Sequence, residues 1–277
     1  MKFSVITVCY NDFIGLQRTI NSVITQTCSD YEYIVIDGGS TDGSVEVIKQ
    51  CETKITRWIS EKDNGVYSGM NKAIVMAQGE YCIFMNAGDT FYSKDVLQQV
   101  FEQLPNIDLA VGVACMVKDG EEQSRVNPPQ EVSLAFWLFH SVIHQAAFMK
   151  TRLLKEKMYD EKLKIVSDWK YMLTEYLTRS YTYSPLSMVV CCFDTTGISS
   201  NNERRLEERN QVLKDVLPPM LYCDYCRYDG FKTMAGDAGL MNNLNMALKH
   251  RTLVKYMARL IPVMTKLFIW LKKKEKK

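Results

Sequence analysis

Apolar positions in the first hundred residues follow two alternating spacings. Short runs rich in β-branched and aromatic residues (FSVITVCY, YEYIVID, TRWIS and EYCIFMN) are separated by stretches in which apolar residues recur every three to four positions. The runs are typical of strands and the stretches of amphipathic helices. Helices are predicted to about Gln26, from about Gly43, over 67–77 and from about Ser93. This alternation predicts an α/β fold in which a mostly parallel sheet carries helices on both faces.

The remaining chain departs from this alternation. LAVGVACMV predicts a strand, KDGEE a turn, Pro128 and Pro129 a break, and QAAFMK another strand. We therefore expect mixed or antiparallel additions to the sheet over 108–150. A helix from Ser167 to Leu177, a strand at TYSPLSMVVCCF and a charged helix over about 203–217 follow.

The segment 253–271 is apolar but carries basic residues four and seven positions apart, at Lys255, Arg259 and Lys266. Residues at this spacing share one face of a helix. Three charges and the proline at position 262 disfavour a membrane-spanning helix. The following KKKEKK run, with Phe268 and Trp270, predicts instead a basic amphipathic helix in the membrane interface. A helix packed on the rest of the protein is the alternative.

Composition changes this picture through the distribution of charge and cysteine. The 277 residues have a net charge of +2, but residues 249–277 hold ten Lys or Arg and one acid, whereas residues 1–248 hold 24 basic and 31 acidic side chains. An acidic body argues against nucleic acid as a partner, and the basic segment favours an anionic membrane surface. Nine cysteines without a repeated spacing favour a reducing cytoplasm; Cys223 and Cys226 lack the second pair that a zinc site needs. MKFSVITVCYN is interpreted as a buried strand, not a signal peptide.

Polar side chains follow two predicted strands at the points where the strands end. Asp37 begins the glycine-rich segment DGGSTDG, and Asn86 and Asp89 lie in NAGD. Ligands bind at the carboxyl ends of strands in such folds, so Asp37 could accept a hydrogen bond from a base or ribose. Mg2+ and Mn2+ prefer hard oxygen ligands, including phosphate oxygens, which makes Asp89 a candidate metal ligand. Taken alone, both segments could also be ordinary turns.

The segments IDGGSTDG, EKDNGVYSGMNKAI and FMNAGD, in this order and spacing, resemble the family 2 glycosyltransferases, and the match is strongest over residues 1–92. The resemblance implies the GT-A fold, a Rossmann-like sheet with helices on both faces. It implies an inverting transfer of a sugar from a nucleotide diphosphate sugar, most commonly a UDP-sugar, to an acceptor hydroxyl. It also implies Mn2+ or Mg2+ as cofactor and a place in cell-surface polysaccharide or glycolipid assembly.

The same resemblance implies roles for individual residues. Asp37 would bind the base, and Asp89, as the last acid of a DxD-type motif, would bind the metal that bridges the diphosphate. Two departures would lower metal affinity: Gly38 stands where many relatives have a second aspartate, and Asn86 where the motif often begins with aspartate. The other positions that the resemblance assigns to the nucleotide sugar are Thr7, Cys9, Tyr10, Asn11, Asp63, Gly65, Lys72, Ala87, Gly88 and His144.

The proton acceptor is predicted further along the chain. IVSDWKYML matches the position of the family's E-D or S-D motif, which makes Asp168 the predicted catalytic base. An inverting transfer needs one such carboxylate near the acceptor hydroxyl. Asp168 could alternatively cap a helix, His144 could be a core or capping residue, and Lys72 could be a solvated helix lysine.

Two other functions are consistent with parts of the pattern. A sugar-phosphate nucleotidyltransferase is the nearest alternative, but TVCYNDFIGLQRTI has one glycine and no basic cradle for a triphosphate. A non-catalytic nucleotide-sugar-binding protein at the membrane is the other.

The predicted organisation is a catalytic domain over 1–230 and a helical basic segment over 231–277. Within the domain, residues 1–92 would form the nucleotide-sugar-binding half and residues 93–230 the acceptor half. The predicted location is cytoplasmic and peripheral on the inner face of the cell membrane. A glycan or lipid-linked acceptor is the expected partner.

Overall fold

The alternation predicted for the first hundred residues is present in the computed structural model, which describes residues 1–179, 181–197 and 201–234. The chain divides into two units, Met1–Val216 and Leu217–Lys277. The strands of the first unit are β1 (Phe3–Cys9), β2 (Tyr31–Asp37), β3 (Arg57–Ser60), β4 (Tyr81–Phe84), β5 (Thr90–Phe91), β6 (Leu109–Lys118), β7 (Glu121–Val126), β8 (Ala147–Lys150) and β9 (Tyr183–Asp194). Its helices are α1 (Phe13–Ile24), α2 (Ser44–Gln50), α3 (Val66–Met76), α4 (Val96–Gln103), α5 (Leu134–Phe139), α6 (Thr151–Glu156), α7 (Ser167–Thr178) and α8 (Asn202–Val216).

The nine described strands form one sheet, in the order β3-β2-β1-β4-β8-β6-β9-β5, and β7 pairs with β6 outside this path. The strands from β3 to β4 are parallel to one another. Beyond them β8 is antiparallel to β4 and β6, β9 is parallel to β6, and β5 is antiparallel to β9. The predicted α/β class, with mixed additions after residue 108, is confirmed.

Helices cover both faces of the parallel half because its strands are apolar on both sides. Cys9 of β1 belongs to the same buried cluster as Leu16 and Ile20 of α1. Successive side chains of a strand point to opposite faces, so Val8 lies on the other side of β1. There it meets α3, where a Cβ added at Gly69 would lie 2.7 Å from Val8 Cγ1. The helices α1 and α3 therefore pack on opposite faces.

In the second unit the structure describes one helix, α9 (Pro219–Met234), on which Cys223 and Cys226 are exposed. Within the described ranges, no helix has the length and apolar character needed to cross a membrane. The predicted boundary at residue 230 falls inside α9, whereas the two units divide after Val216. The basic helix predicted over 253–271 lies outside the described residues.

Candidate active site

Three parallel strands end at one edge of the sheet and bring their exit loops together. Cys9 at the end of β1 is in register with Asp37 at the end of β2, and Asp37 with Ser60 at the end of β3. On the other side of β1, the chain leaving β4 stays hydrogen-bonded to it, because Ala87 N–H donates to the Val8 carbonyl over 3.1 Å. The predicted polar segments after β1, β2 and β4 therefore share this edge.

Asp37 has one engaged and one free carboxylate oxygen. Its Oδ2 accepts from the backbone N–H of Gly39 at 3.1 Å and of Ser40 at 2.9 Å, and from the Ser60 hydroxyl at 2.7 Å. Its Oδ1 is buried and has no hydrogen-bond partner. A buried oxygen without a donor is costly unless a ligand supplies one. Asp37 is therefore prepared to accept one hydrogen bond from a bound molecule.

Asn11 holds the loops after β1 and β2 together. Its backbone N–H donates to Ser40 Oγ over 2.7 Å, and its Oδ1 accepts from Thr41 N–H over 2.8 Å. Its φ of 49° lies in the left-handed region, which asparagine tolerates better than most residues. Asn11 thus shapes the loop around Asp37, and its side-chain oxygen is used for that purpose.

Asp63 lies beside the glycines of this site. A Cβ added at Gly38 would lie 3.1 Å from Asp63 Oδ2, and one at Gly69 would lie 3.3 Å from the same atom. The Asp63 carboxylate also accepts from Gly65 N–H over 2.9 Å, where Gly65 has a φ of 117°. A side chain at position 38 would therefore press against Asp63. This contact gives a physical reason for the glycine that departs from the family pattern.

The NAGD segment forms a tight turn after β4. Asp89 N–H donates to the Asn86 carbonyl over 3.0 Å, and Gly88 has a φ of 98°. The Asp89 side chain points into the protein, where Oδ1 accepts from Asp194 N–H and Oδ2 from Gln145 Nε2, each over 2.9 Å. Burial raises the pKa of Asp89 to about 7, although both hydrogen bonds act in the opposite direction. A nearby cation would favour the ionised form.

The residues around this turn fit a metal ion of one particular kind. Each oxygen of Asp89 keeps a lone pair beyond its hydrogen bond, and Asn86 Oδ1 is buried without a partner. Over 1–179, 181–197 and 201–234, no group of three His, Cys, Asp or Glu side chains is arranged to hold a metal. Carboxylate and amide oxygens are the ligand types that Mg2+ and Mn2+ take together with water and phosphate oxygens, so the chemistry of these two side chains suits such an ion.

Asp168 lies in the first turn of α7 with both carboxylate oxygens engaged. Tyr67, on α3, donates its hydroxyl to Oδ1 over 2.7 Å, and His144 Nδ1 lies 3.1 Å from Oδ2. Burial raises the pKa of Asp168, but the hydrogen bonds and charge of these partners outweigh it, and the pKa falls below 3.8. Burial likewise lowers the pKa of His144, but Asp168 outweighs it, and the pKa rises above 6.5. The two side chains therefore favour an ion pair.

These contacts join the predicted acidic residues into one chain. Asp168 binds His144, and Gln145, the next residue, binds Asp89. On the other side, Tyr67 binds Asp168 from the helix that follows Asp63, which lies against the loop after Asp37. Asp89 and Asp168 are thus joined through the turn that precedes β8, and Asp168 is joined through α3 to the neighbourhood of Asp37.

Other predicted residues have different surroundings. The hydroxyl of Thr7 is wholly buried in the sheet, where it donates to the Met85 carbonyl over 2.7 Å. Cys9 is buried, and burial raises the pKa of its thiol to about 11. Tyr10 is 66% exposed. Lys72 Nζ pairs with Glu61 over 2.8 Å.

Two residues that hold the site together were outside the sequence analysis. Thr19 of α1 donates to the Asp89 carbonyl over 2.7 Å, and Asp194 supplies the backbone donor described above. Thr19 carries no sequence signal, because a helical threonine is usually unremarkable. Asp194 does carry one: it follows the apolar strand SMVVCCF at a strand end, like Asp37.

The sequence model of the family described as Glycosyl transferase family 2 matches residues 4–172. An uncharacterized glycosyltransferase of Mycobacterium tuberculosis is 35% identical over 217 residues, which are 72% of this chain and 78% of the relative. A PGL/p-HBAD biosynthesis glycosyltransferase of Mycobacterium bovis is 26% identical over 208 residues, covering 72% of this chain and 79% of that protein.

Two of the solved structures with similar folds are from Staphylococcus aureus and Pyrobaculum calidifontis. S. aureus TarS 1-349 in complex with UDP-GlcNAc has a TM-score of 0.61 and 21% identity, covering 78% of this chain. This chain spans 65% of that structure, which is less than two thirds of its length. The mannosyltransferase PcManGT from Pyrobaculum calidifontis, in complex with GDP-Man and Mn2+, has a TM-score of 0.59 and 16% identity, covering 93% of this chain and 83% of the other.

Proposed function

This chain belongs to glycosyl transferase family 2 and has the GT-A fold, and from that premise we propose that it is an inverting hexosyltransferase acting on a UDP-sugar and an acceptor hydroxyl. One observation carries the proposal. The buried carboxylate of Asp168 is kept ionised by His144 and Tyr67, and Tyr67 lies at the start of the helix that follows Asp63, which lies beside the loop after Asp37. In the proposal, Asp168 is the catalytic base and Asp37 accepts a hydrogen bond from the nucleotide.

The donor would bind at the exits of β1, β2 and β4. Asp37 Oδ1 would accept the N–H of the base, and Asp63 lies close enough to the same loop to contact the nucleoside. The N–H-bearing uracil suits this single acceptor, and the TarS structure contains a UDP-sugar. Of the other predicted contacts, Gly65 and Gly88 would allow close approach of the backbone, since both have positive φ. Lys72 would reach the diphosphate only by leaving Glu61.

We propose a dependence on Mn2+ or Mg2+ held by Asp89, with Asn86 Oδ1 as a further oxygen. When bound, the ion would neutralise charge on the departing diphosphate. The PcManGT structure, with its Mn2+ and GDP-Man, is consistent with such a role in this fold. Gln145 and Asp194 hold the Asp89 carboxylate by hydrogen bonds and would orient it for the ion.

Asp168 would act as the general base. As the acceptor oxygen forms its bond to the anomeric carbon, the hydroxyl proton passes to Asp168, and the bond from that carbon to the diphosphate oxygen breaks with its electron pair. No covalent intermediate with the protein is needed, so the configuration at the anomeric carbon inverts. His144 and Tyr67 would keep Asp168 unprotonated before the transfer.

The acceptor would be a glycan or lipid-linked intermediate of cell-surface polysaccharide or glycolipid assembly at the inner face of the cell membrane. Two observations support this part of the proposal. The basic side chains of 249–277 favour an anionic surface. The relative from M. bovis is named for PGL/p-HBAD biosynthesis.

The decisive experiment measures release of nucleoside diphosphate from a panel of UDP-, GDP- and dTDP-sugars with Mn2+, for the wild type and Asp168→Asn. We expect turnover with a UDP-sugar, reduced about 100- to 10,000-fold by Asp168→Asn, with binding of UDP unchanged. Asp215→Asn, at an exposed position of α8, is the matched control and should retain full turnover. Full activity of Asp168→Asn would contradict its role as base. Pyrophosphate release from a nucleoside triphosphate and a sugar phosphate would instead favour a nucleotidyltransferase.

A further inference from the structure

Helix α8 holds the loop before α7 with a single carboxylate. Glu208 accepts from three successive backbone N–H groups: Lys164 N at 3.0 Å from Oε1, and Ile165 N and Val166 N at 2.9 and 3.3 Å from Oε2. Hydrogen bonds to an ionised acceptor are roughly twice as strong as neutral ones. The loop is therefore fixed by a residue 42 to 44 positions away along the chain.

This loop leads directly into the helix that contains Asp168, the predicted catalytic base. Val166 is the N-cap residue of α7, has no side-chain capping bond of its own, and precedes Asp168 by two positions. Unpaired N–H groups at a helix start favour a negative charge nearby. Glu208 brings a carboxylate from another helix to the backbone of 164–166, directly before the first residue of α7.

The opposite side of the loop is bound to α3 and to the segment before it. The Ile165 carbonyl lies 2.7 Å from the hydroxyl of Tyr67, the same hydroxyl that binds Asp168. Lys164 Nζ donates to the Asn64 carbonyl over 2.7 Å. The loop 164–166 therefore lies between Glu208 and Tyr67. Its position sets the distance between Tyr67 and the Asp168 carboxylate.

The next residue of α8 reinforces the same attachment. The guanidinium of Arg209 lies 4.1 Å from the ring centroid of Trp169, which follows Asp168 in sequence. Arg209 also donates to the carbonyls of Trp137 at 3.4 Å and His140 at 3.2 Å, near the end of α5. Two neighbouring side chains thus bind α8 to both sides of the start of α7.

We propose that Glu208 is a positioning residue for the transfer reaction: by holding the backbone of 164–166, it sets where Asp168 stands relative to its partners and the acceptor. This proposal rests on the function proposed above. It assigns α8 a role in catalysis although no atom of Glu208 touches the Asp168 carboxylate. A displacement of about 1 Å at a reacting group can lower a rate about 100-fold, so a small shift of the loop suffices.

The test compares Glu208→Gln with Glu207→Gln, a change of the exposed neighbour on the same helix. An amide has one acceptor oxygen, and its N–H groups would face the three donors of the loop. Hydrogen exchange of the amides at 164–168 should become about tenfold faster or more in Glu208→Gln and stay unchanged in Glu207→Gln. With a competent donor, kcat should fall about 10- to 100-fold while KM for the donor changes less than about twofold. Glu208→Asp should recover part of both losses.

Exchange and turnover separate the possible outcomes. Unchanged protection at 164–168, or faster exchange with unaltered kcat, overturns the positioning role. Equal losses of kcat and UDP binding would indicate general unfolding, which also counts against it; the Glu208→Asp variant then checks that result in a better-folded background. If the wild type transfers no sugar from any donor, the proposed function has failed, whereas the hold of Glu208 on the loop is still judged by exchange alone.

Discussion

The charge of Asp168 is set by the two side chains that touch it. Burial alone would raise the pKa of this carboxyl, yet contact with His144 and Tyr67 brings it below 3.8. A lowered pKa makes Asp168 a weak base, which would accept a proton only as the transfer proceeds. The benefit is that almost every molecule has Asp168 unprotonated at neutral pH.

The same contact links stability to pH in a defined window. The raised pKa of His144 contributes stability that is fully present below pH 6.5 and is lost as the pH rises through the folded-state pKa. The lowered pKa of Asp168 contributes stability that is present above pH 3.8 and is lost as the pH falls through its folded-state pKa. The groups that face His144 from neighbouring elements are Asp168 and, further away, Asp89. The ion pair should therefore contribute most between pH 3.8 and 6.5.

Replacing His144 by glutamine should cost free energy of unfolding in a pH-dependent way. We expect a loss of about 3 kcal/mol at pH 5, because a buried charge loses its partner, and a progressively smaller loss as the pH rises above 6.5. Urea unfolding of both proteins at several pH values measures it. Lys49→Gln, at an exposed position of α2, is the control and should give a small difference that does not vary with pH. A His144→Gln loss that does not vary with pH would contradict the ion pair.

For individual residues, the sequence predicted which positions lie near the candidate site, but not which contacts their side chains make. Asp37, Asp89, His144 and Asp168 were predicted from strand ends and from resemblance. Contacts of His144 and Gln145 connect the last three, and Asp37 precedes a glycine that lies beside Asp63. Whether they play the predicted roles stays a prediction. Thr7 shows the limit: its position beside the site could be inferred, but the direction of its hydroxyl depends on Tyr33 of β2 and on Met85, which follows β4.

Among the elements, α3 is seated unusually closely on the sheet. Gly69 has no room for a side chain, since an added Cβ would lie 2.7 Å from Val8 Cγ1 and 3.3 Å from Asp63 Oδ2. The close approach fixes the height of Tyr67, two residues earlier, above the sheet. The glycine is thus a packing requirement and not a source of flexibility.

Gly69→Ala should destabilise the protein, against the usual trend for helices. Alanine normally stabilises a helix interior by about 1 kcal/mol relative to glycine, but overpacking here should cost about 1–3 kcal/mol. Urea unfolding gives the free energy. Val75→Ala, on the same helix and 64% exposed in the native protein, should change it by less than about 0.5 kcal/mol. A more stable Gly69→Ala protein would show that α3 can move away from β1.

Elements with a distinct apolar run were predictable, including the four-residue strands β3, β4 and β8, whereas several other short elements were not. The apolar runs of β1, β2 and β6 have 7, 7 and 10 residues, enough for their strand character to be recognised. By contrast β5 has two residues, and α5 and α6 have six each, fewer than two helical turns. Such segments exist because tertiary contacts hold them, and periodicity cannot reveal contacts. The attachment of α8 through Glu208 was unpredictable for the same reason.

At the scale of the whole molecule, charge is divided along the chain. Residues 249–277 carry ten basic side chains and one acid, and the remainder has an excess of acids. A basic segment of this density is attracted to anionic lipid by about 1 kcal/mol per Lys or Arg near the surface. This division of charge is the basis of the proposed membrane association.

Deleting residues 251–277 should therefore reduce co-sedimentation with vesicles containing anionic phosphatidylglycerol. Binding of the full chain to these vesicles should weaken as the salt concentration rises. Binding of UDP should be unaffected, because Asp37 and its loop lie in the first unit. Vesicles of neutral phosphatidylcholine are the control. Equal sedimentation of the full and shortened chains would contradict a membrane role for this segment.

The hydrogen bonds of the site also imply an order in time. Tyr67 and Asp168 are 101 positions apart, Asp89 and Asp194 are 105 apart, and the three donors held by Glu208 lie upstream of it by at least 42. A growing polypeptide leaves the ribosome from its N-terminus. The loops around Asp37, proposed to bind the nucleobase, can therefore fold before Asp168 and Asp194 have been synthesised. Closing such long loops is slow. We expect competence for transfer to be the last property that the newborn protein acquires.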